Sequence, residues 1–179
     1  NSFSTPGGVE DSCEKLNQLV IQLGPGYFNN DPRAAMKASR AGTRGFRAPE
    51  VLFKSSQQST ALDIWSAGVI LLTLLTRRYP FFQSSDDFDA IVEIANIFGN
   101  EEMTAAAKMY NRRWRCNIPS VPDCHVTWPV LCTNLNPQFA PEIPEECYSL
   151  LAACLNLNAS QRITAKAALK HPFILKYSQ

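Results

Sequence analysis

Arg33, Lys37, Arg40, Arg44 and Arg47 make one stretch of the chain locally basic. Guanidinium and ammonium groups gathered this way suit charge-assisted, often bidentate contacts to a carboxylate or phosphate on another molecule. The plainer reading of a charge run is a solvated face. Asp63 is a carboxylate near the start of a long apolar run, where the positive end of a helix dipole would favour it. Cys116, Cys124, His125 and Cys132 are ligand types, but seven, none and six residues separate them in turn. Those spacings do not resemble a zinc-binding array, so no metal is expected. His171 is followed by Pro172, which argues for a turn and against acid–base work.

The element that must position these groups is Thr60–Thr76, TALDIWSAGVILLTLLT. Its apolar residues cover the whole circumference at helical spacing, as expected of a helix buried on every side. The uncharged part, Ile64–Thr76, is shorter than the roughly 20 residues that span a bilayer. Thr60 and Asp63 have capping-box spacing. Arg77 and Arg78 suit the other end, and Pro80 forbids continuation.

Composition agrees with a globular protein: 179 residues, 45% hydrophobic, 18% charged, with a net charge of +1. That balance makes no case for direct nucleic-acid or membrane binding. The six cysteines contain no CxxC pair and are expected to be reduced thiols of an intracellular protein. The chain begins NSFSTPGGVEDS, with no initiator Met and no leader, which reads as the middle of a longer protein.

In chain order, residues 1–12 read as a loop, Cys13–Leu23 as a short amphipathic helix and Asn29–Pro32 as a turn. Ala48–Lys54 is predicted as a short helix with Pro49 in its first turn. Asp86 and Asp87 should open a helix ending at Gly99-Asn100, followed by another over Glu101–Tyr110. Residues 111–143, rich in proline, read as a long irregular connection. Pro144–Leu155 is predicted helical with Cys147, Tyr148, Leu151 and Leu155 inward. Thr164 should cap Ala165–Leu169, and His171-Pro172-Phe173 should start the closing turn. No strand stands out, so the fold is predicted mostly α.

Four motifs appear in order: Gly42-Thr43-Arg44-Gly45-Phe46-Arg47-Ala48-Pro49-Glu50, the Asp63-x-Trp65-Ser66-x-Gly68 pattern, Arg162-Ile163-Thr164-Ala165 and His171-Pro172-Phe173. Together they resemble the C-terminal lobe of a eukaryotic Ser/Thr protein kinase over about residues 39–179. The wording AGTRGFRAPEVL and SDDFDAIVEIANIFGNEEMTAAAK is most similar to the cell-division-cycle kinases that form the catalytic subunit of the DDK complex. The resemblance implies a partial lobe at 39–179 with its insert at 111–143, an N-terminal lobe absent, and the tail of an activation-segment insertion at 1–38.

The same resemblance assigns roles. Thr43 would bond the catalytic Asp and a neighbouring Lys, helping to hold the base. Thr43, Arg44, Gly45, Phe46 and Arg47 would shape the substrate site, with Arg44 and Arg47 the favoured contacts to an acidic or phosphorylated target. Glu50, in the Ala48-Pro49-Glu50 motif, would pair with Arg162 in the interior. Asp63 would accept from backbone N–H groups of the catalytic loop, while Trp65 and Gly68 are packing positions. The family implies ATP and magnesium, a Dbf-type regulatory subunit, the MCM helicase as substrate and a nuclear location.

The chain contains no HRD, DFG, VAIK or GxGxxG sequence. No catalytic residue is therefore expected here, and this stretch alone should neither bind ATP nor transfer phosphate. It reads as the substrate-side part of a kinase. The rivals are a truncated, non-catalytic paralogue serving as a binding module, and an unrelated small helical domain. A lobe in isolation is expected to expose apolar surface and to be poorly soluble.

Overall fold

In the computed structural model, which describes residues 42–177, the helical expectation holds. Among these residues the order is α1 (Pro49–Leu52), α2 (Ala61–Thr76), α3 (Asp87–Met109), α4 (Trp128–Leu135), a 3-10 turn at Ala140–Glu142, α5 (Glu145–Cys154), α6 (Ala165–Ala168) and α7 (Pro172–Tyr177), with no strand. The loop, helix and turn expected at 1–12, Cys13–Leu23 and Asn29–Pro32 lie outside the described residues, as do Arg33, Lys37 and Arg40. None of the described helices is long and apolar enough to cross a membrane.

Helix α2 is the centre of the packing, but it is not buried all round. Trp65, Gly68, Val69, Leu72, Leu75 and Thr76 face the core. Ile70 is 53% and Leu74 65% exposed, and with Asp63 and Ala67 they form an open stripe along one side. The expectation of burial on every side is corrected here: the apolar circumference marks two faces, of which the described residues cover one. The start also differs. Thr60 is already helical in backbone and its side chain makes no cap. Ser59 does that work, its Oγ accepting from the Ala61 N–H at 3.3 Å and its carbonyl from Leu62. At the other end Arg77 turns left-handed (φ 54°) and stops the helix, and its guanidinium lies over the Phe139 ring.

Against the buried face of α2 lies α5, contributing Cys147, Leu151 and Cys154, with Leu155 following. Each large apolar side chain withdrawn from water there contributes about 1.5–3 kcal/mol. The helices approach closely because position 68 has no side chain. A Cβ there would sit 2.8 Å from Leu155 Cδ2 and 2.9 Å from Cys154 Cβ.

Helix α3 begins as expected. The Asp86 carboxylate accepts from the backbone N–H groups of Phe88 and Asp89, satisfying donors that have no partner inside the helix. The two helices expected on either side of Gly99 are present but joined through it. Gly99 has φ 77° and ψ 166°, and a Cβ would meet the Asp123 carbonyl at 2.6 Å. The donors released by this kink, Asn100 N–H and Glu101 N–H, are taken by the carbonyls of Pro122 and Asp123.

Residues 111–127 are irregular as expected, but the rest of the proposed connection is not. Helix α4 occupies Trp128–Leu135 and buries Trp128 and Cys132. Its two turns are too short to show a period, and Pro129 in the first turn reads as a breaker although it is tolerated there. Further on, Thr164 caps α6 by accepting from Ala167 N–H, and Pro172 opens α7.

Gly68→Val is expected to lower stability by about 1–3 kcal/mol through overpacking. Urea unfolding reads this directly. An unchanged midpoint would show that the α2–α5 contact gives way freely.

Candidate substrate-recognition site

The stretch before α1 is a loop shaped by two left-handed glycines, Gly42 (φ 88°) and Gly45 (φ 82°). The Phe46 N–H donates to the Thr43 carbonyl at 3.1 Å, closing a tight turn over Arg44 and Gly45. Gly45 lies against the segment after α2, where a Cβ would stand 2.8 Å from the Phe82 carbonyl oxygen. No other residue type has both the backbone freedom and the room. Ser66, the fourth residue of the Asp63-x-Trp65-Ser66 pattern on α2, donates its hydroxyl towards the Phe46 and Leu62 carbonyls, each at 3.1 Å. The loop is thereby tied to α2.

These ties divide the predicted site residues. Thr43 and Arg44 are exposed at the tip, Gly45 and Phe46 are half-buried, and Ala48, Pro49 and Glu50 are buried. Arg47 turns back. Its Nη1 donates to Asp87 Oδ1 at 2.6 Å and its Nε to the Gly42 carbonyl at 3.1 Å. The half-buried Arg47 guanidinium therefore braces the loop against the first turn of α3, and Arg44 is the exposed arginine. Asp87 was legible as a first-turn acid, but nothing in the sequence ties it to an arginine forty positions earlier.

Below the loop, Glu50 and Arg162 meet as expected from the motifs. Arg162 Nη1 lies 2.8 Å from Glu50 Oε1 and Nη2 2.9 Å from Oε2, with both side chains fully buried. Arg162 also donates from Nη1 to the Ala61 carbonyl at 2.7 Å and from Nε to the Asn156 carbonyl at 3.0 Å. Its guanidinium is 5.2 Å from the centre of the Trp65 ring, which stacks in turn on Phe98. A fork-to-fork ion pair whose arginine also donates to two carbonyls is the kind of arrangement that offsets burying two charges. Asp63 is exposed in the first turn of α2.

His171 accepts from the Phe173 N–H through Nδ1 at 3.3 Å and lies 3.4 Å from Ser149 Oγ through Nε2, a turn-and-packing role. The cysteine and histidine positions scatter. His125 pairs with Glu102 at 3.3 Å, Cys124 is exposed beside Glu101, and Cys132 and Cys147 are buried. Among the described residues no three His, Cys, Asp or Glu side chains gather as metal ligands. Burial, followed by the neighbouring Cys132, pushes the Cys147 thiol up from 9.0 to about 11.

A family profile described as "Protein kinase domain" matches residues 26–174. The chain belongs to that family. The kinase stretch is 56% identical over 149 residues to "Probable cell division control protein 7 homolog 1" of Encephalitozoon cuniculi, covering 83% of this chain and 42% of that protein. It is 44% identical over 160 residues to "Cell cycle serine/threonine-protein kinase hsk1" of Schizosaccharomyces pombe, covering 83% and 32%. It is also 35% identical over 203 residues to the human "Cell division cycle 7-related protein kinase", covering 79% and 35%. The chain thus spans less than half the length of these relatives. The kinase resemblance and the expected fold, mostly α and like a kinase C-terminal lobe, are both borne out.

Two measurements follow for this kinase lobe. Arg162→Met should cost about 3–5 kcal/mol because it strands a buried carboxylate, while the double variant Glu50→Leu/Arg162→Met should recover much of that loss. Denaturant unfolding of both decides it, and equal losses would show that packing and not charge governs the site. The Cys147 thiol has a folded value above its unfolded one, so its contribution is complete below pH 9 and disappears as pH rises towards 11. Urea midpoints should fall across that window, and Cys147→Val should flatten part of the fall; a parallel curve would remove the assignment.

Proposed function

We propose that this chain is the substrate-side part of a longer Ser/Thr protein kinase that transfers the γ-phosphate of ATP to Ser or Thr in acidic surroundings. The carrying observation is the Gly42–Glu50 loop: Ser66, Arg47 and the buried Glu50–Arg162 pair hold it from beneath, and Thr43 and Arg44 stand exposed at its tip. A loop braced this way presents its tip in one geometry, which is what positioning a peptide requires. Thr43 would help to hold the catalytic base, and Arg44 would meet a carboxylate or phosphate beside the acceptor. Arg47 would act as the brace that aims the loop.

ATP and magnesium belong, on this reading, to the rest of the enzyme. A cleft of about 240 Å³ is lined by groups such as Phe98, Trp128, Leu155 and Asn158, with no lysine or arginine for phosphates. The exposed stripe of Asp63, Ala67, Ile70 and Leu74 supports the same division. Asp63 at its head would accept backbone N–H groups of the catalytic loop, and the apolar residues would pack against the part of the lobe that precedes it.

The relatives named above are cell-cycle kinases, and this supports a role in the cell cycle. By the same likeness we assign the parent enzyme to initiation of DNA replication in the nucleus. A Dbf-type regulatory subunit would be its activator and the MCM helicase its substrate.

The test uses the full-length protein. Arg44→Ala should raise KM for an acidic peptide about tenfold, a loss of roughly 1.4 kcal/mol, with little change for a neutral peptide. Thr43→Val should instead lower kcat, by up to about 100-fold if the base is misplaced. Parent protein without phosphoryl transfer would leave the non-catalytic binding module as the reading.

A further inference from the structure

The segment after α3 carries a basic surface that the loop at Gly42–Glu50 does not include. Its sequence is Asn111-Arg112-Arg113-Trp114-Arg115-Cys116, and its exposure alternates. Arg112 and Trp114 are turned inward. Arg112 donates from Nε to the Phe53 carbonyl at 2.9 Å and from Nη2 to the Lys54 carbonyl at 3.3 Å, satisfying carbonyls at the end of α1. Trp114 donates its indole N–H to Asn100 Oδ1 at 2.9 Å, beside the Gly99 kink. With both neighbours pinned, Arg113 and Arg115 are presented on the outer side, exposed and in no salt bridge among the described residues.

Period-two alternation has a geometric consequence. Arg113 and Arg115, with Trp114 held inward between them, come to the same outer side. Alternate side chains of an extended peptide likewise share one side, about 6.6–6.8 Å apart. Two carboxylates, or a carboxylate and a phosphate, at such positions would each meet one guanidinium fork. Lys54, whose carbonyl receives Arg112, is itself exposed with its ammonium 5.9 Å from the Phe88 ring. Phe88 follows Asp87, the partner of Arg47. Lys54 thus stands beside the start of α3, where Asp87 holds Arg47.

We propose that Arg113 and Arg115, extended by Lys54, form a docking surface for an acidic segment of a protein partner. An extended nucleic acid strand is the poorer match. The chain's net charge is only +1, and Glu101 and Asp123 stand exposed just beyond the Asn100 anchor of Trp114. Nucleic-acid surfaces need a broader positive field than this one. Acid recognition here goes beyond the role given to Arg44 and does not require that role to be right.

The experiment takes the full-length protein and a fluorescein-labelled peptide of alternating Glu and Ala, read by fluorescence anisotropy at low and physiological salt. Arg113→Ala/Arg115→Ala should weaken binding about tenfold and flatten its salt dependence, because both arginines are exposed and their loss leaves the packing intact. Arg44→Ala should leave most of this binding in place, which separates the surface from the loop. Peptide affinity unchanged in the double variant overturns the proposal. So does a single-stranded oligonucleotide of equal charge that binds the parent more tightly than the peptide and is lost in the double variant.

Discussion

The buried pair of Glu50 and Arg162 joins residues 112 positions apart, and most of what surrounds it is placed by that join. Two fully buried charges need hydrogen-bonding partners to offset the water they give up. Glu50 uses both carboxylate oxygens on Arg162. Arg162 spends two further donors on the Ala61 and Asn156 carbonyls, one at the start of α2 and one just after α5. Three pieces of chain are thereby fixed around one guanidinium, with the Trp65 ring against it. Such an arrangement is specific more than it is strong. An apolar cluster of equal volume would hold the same elements together, but it would not dictate which carbonyl each one presents. The position of α1, and with it the loop that α1 anchors, follows from those hydrogen bonds.

The loop shows how a surface feature depends on this interior. A short stretch with two left-handed glycines has little stiffness of its own. Its shape is imposed by contacts on three sides: Ser66 from α2, the Phe82 carbonyl against Gly45, and Asp87 through Arg47. Arg47 is mostly desolvated, and the charge it meets is on its own chain. One arginine of the loop thus serves construction and the other faces outward, although the sequence shows no difference in kind between them.

That contrast marks where reading the sequence succeeds. Features decided within a few residues were legible: the Asp86 cap, the break at Gly99, the Thr164 cap, the inner face of Glu145–Cys154 and the stop after Thr76. Others were hidden because they are settled at a distance. Ser59 rather than Thr60 caps α2, since the turn before the helix places Ser59 to do so. Ile70 and Leu74 are as apolar as Leu72, yet whether they are covered depends on what packs beside them. Helix α4 was obscured by Pro129, which reads as a breaker wherever the helix start is not known. The Glu50–Arg162 pair was legible only through the kinase resemblance, because no local pattern links those positions. The loop's residues were therefore legible in order, while the arrangement that turns Arg47 inward and leaves Arg44 exposed was not.

The kink at Gly99 has a consequence for how this lobe can vary. By releasing two backbone donors to the Pro122 and Asp123 carbonyls, it fastens the far end of the irregular segment to the middle of α3. Arg112 fastens the near end to α1. Whatever lies between these anchors closes a loop whose ends are already held, and closure entropy grows slowly, by about 0.6 kcal/mol for each doubling of length. Chain could be added between Cys116 and Val121 without disturbing either anchor. The lobe can thus accept long insertions at this point while its helices keep their places, and a lineage could lengthen or trim the segment with small effect on folding.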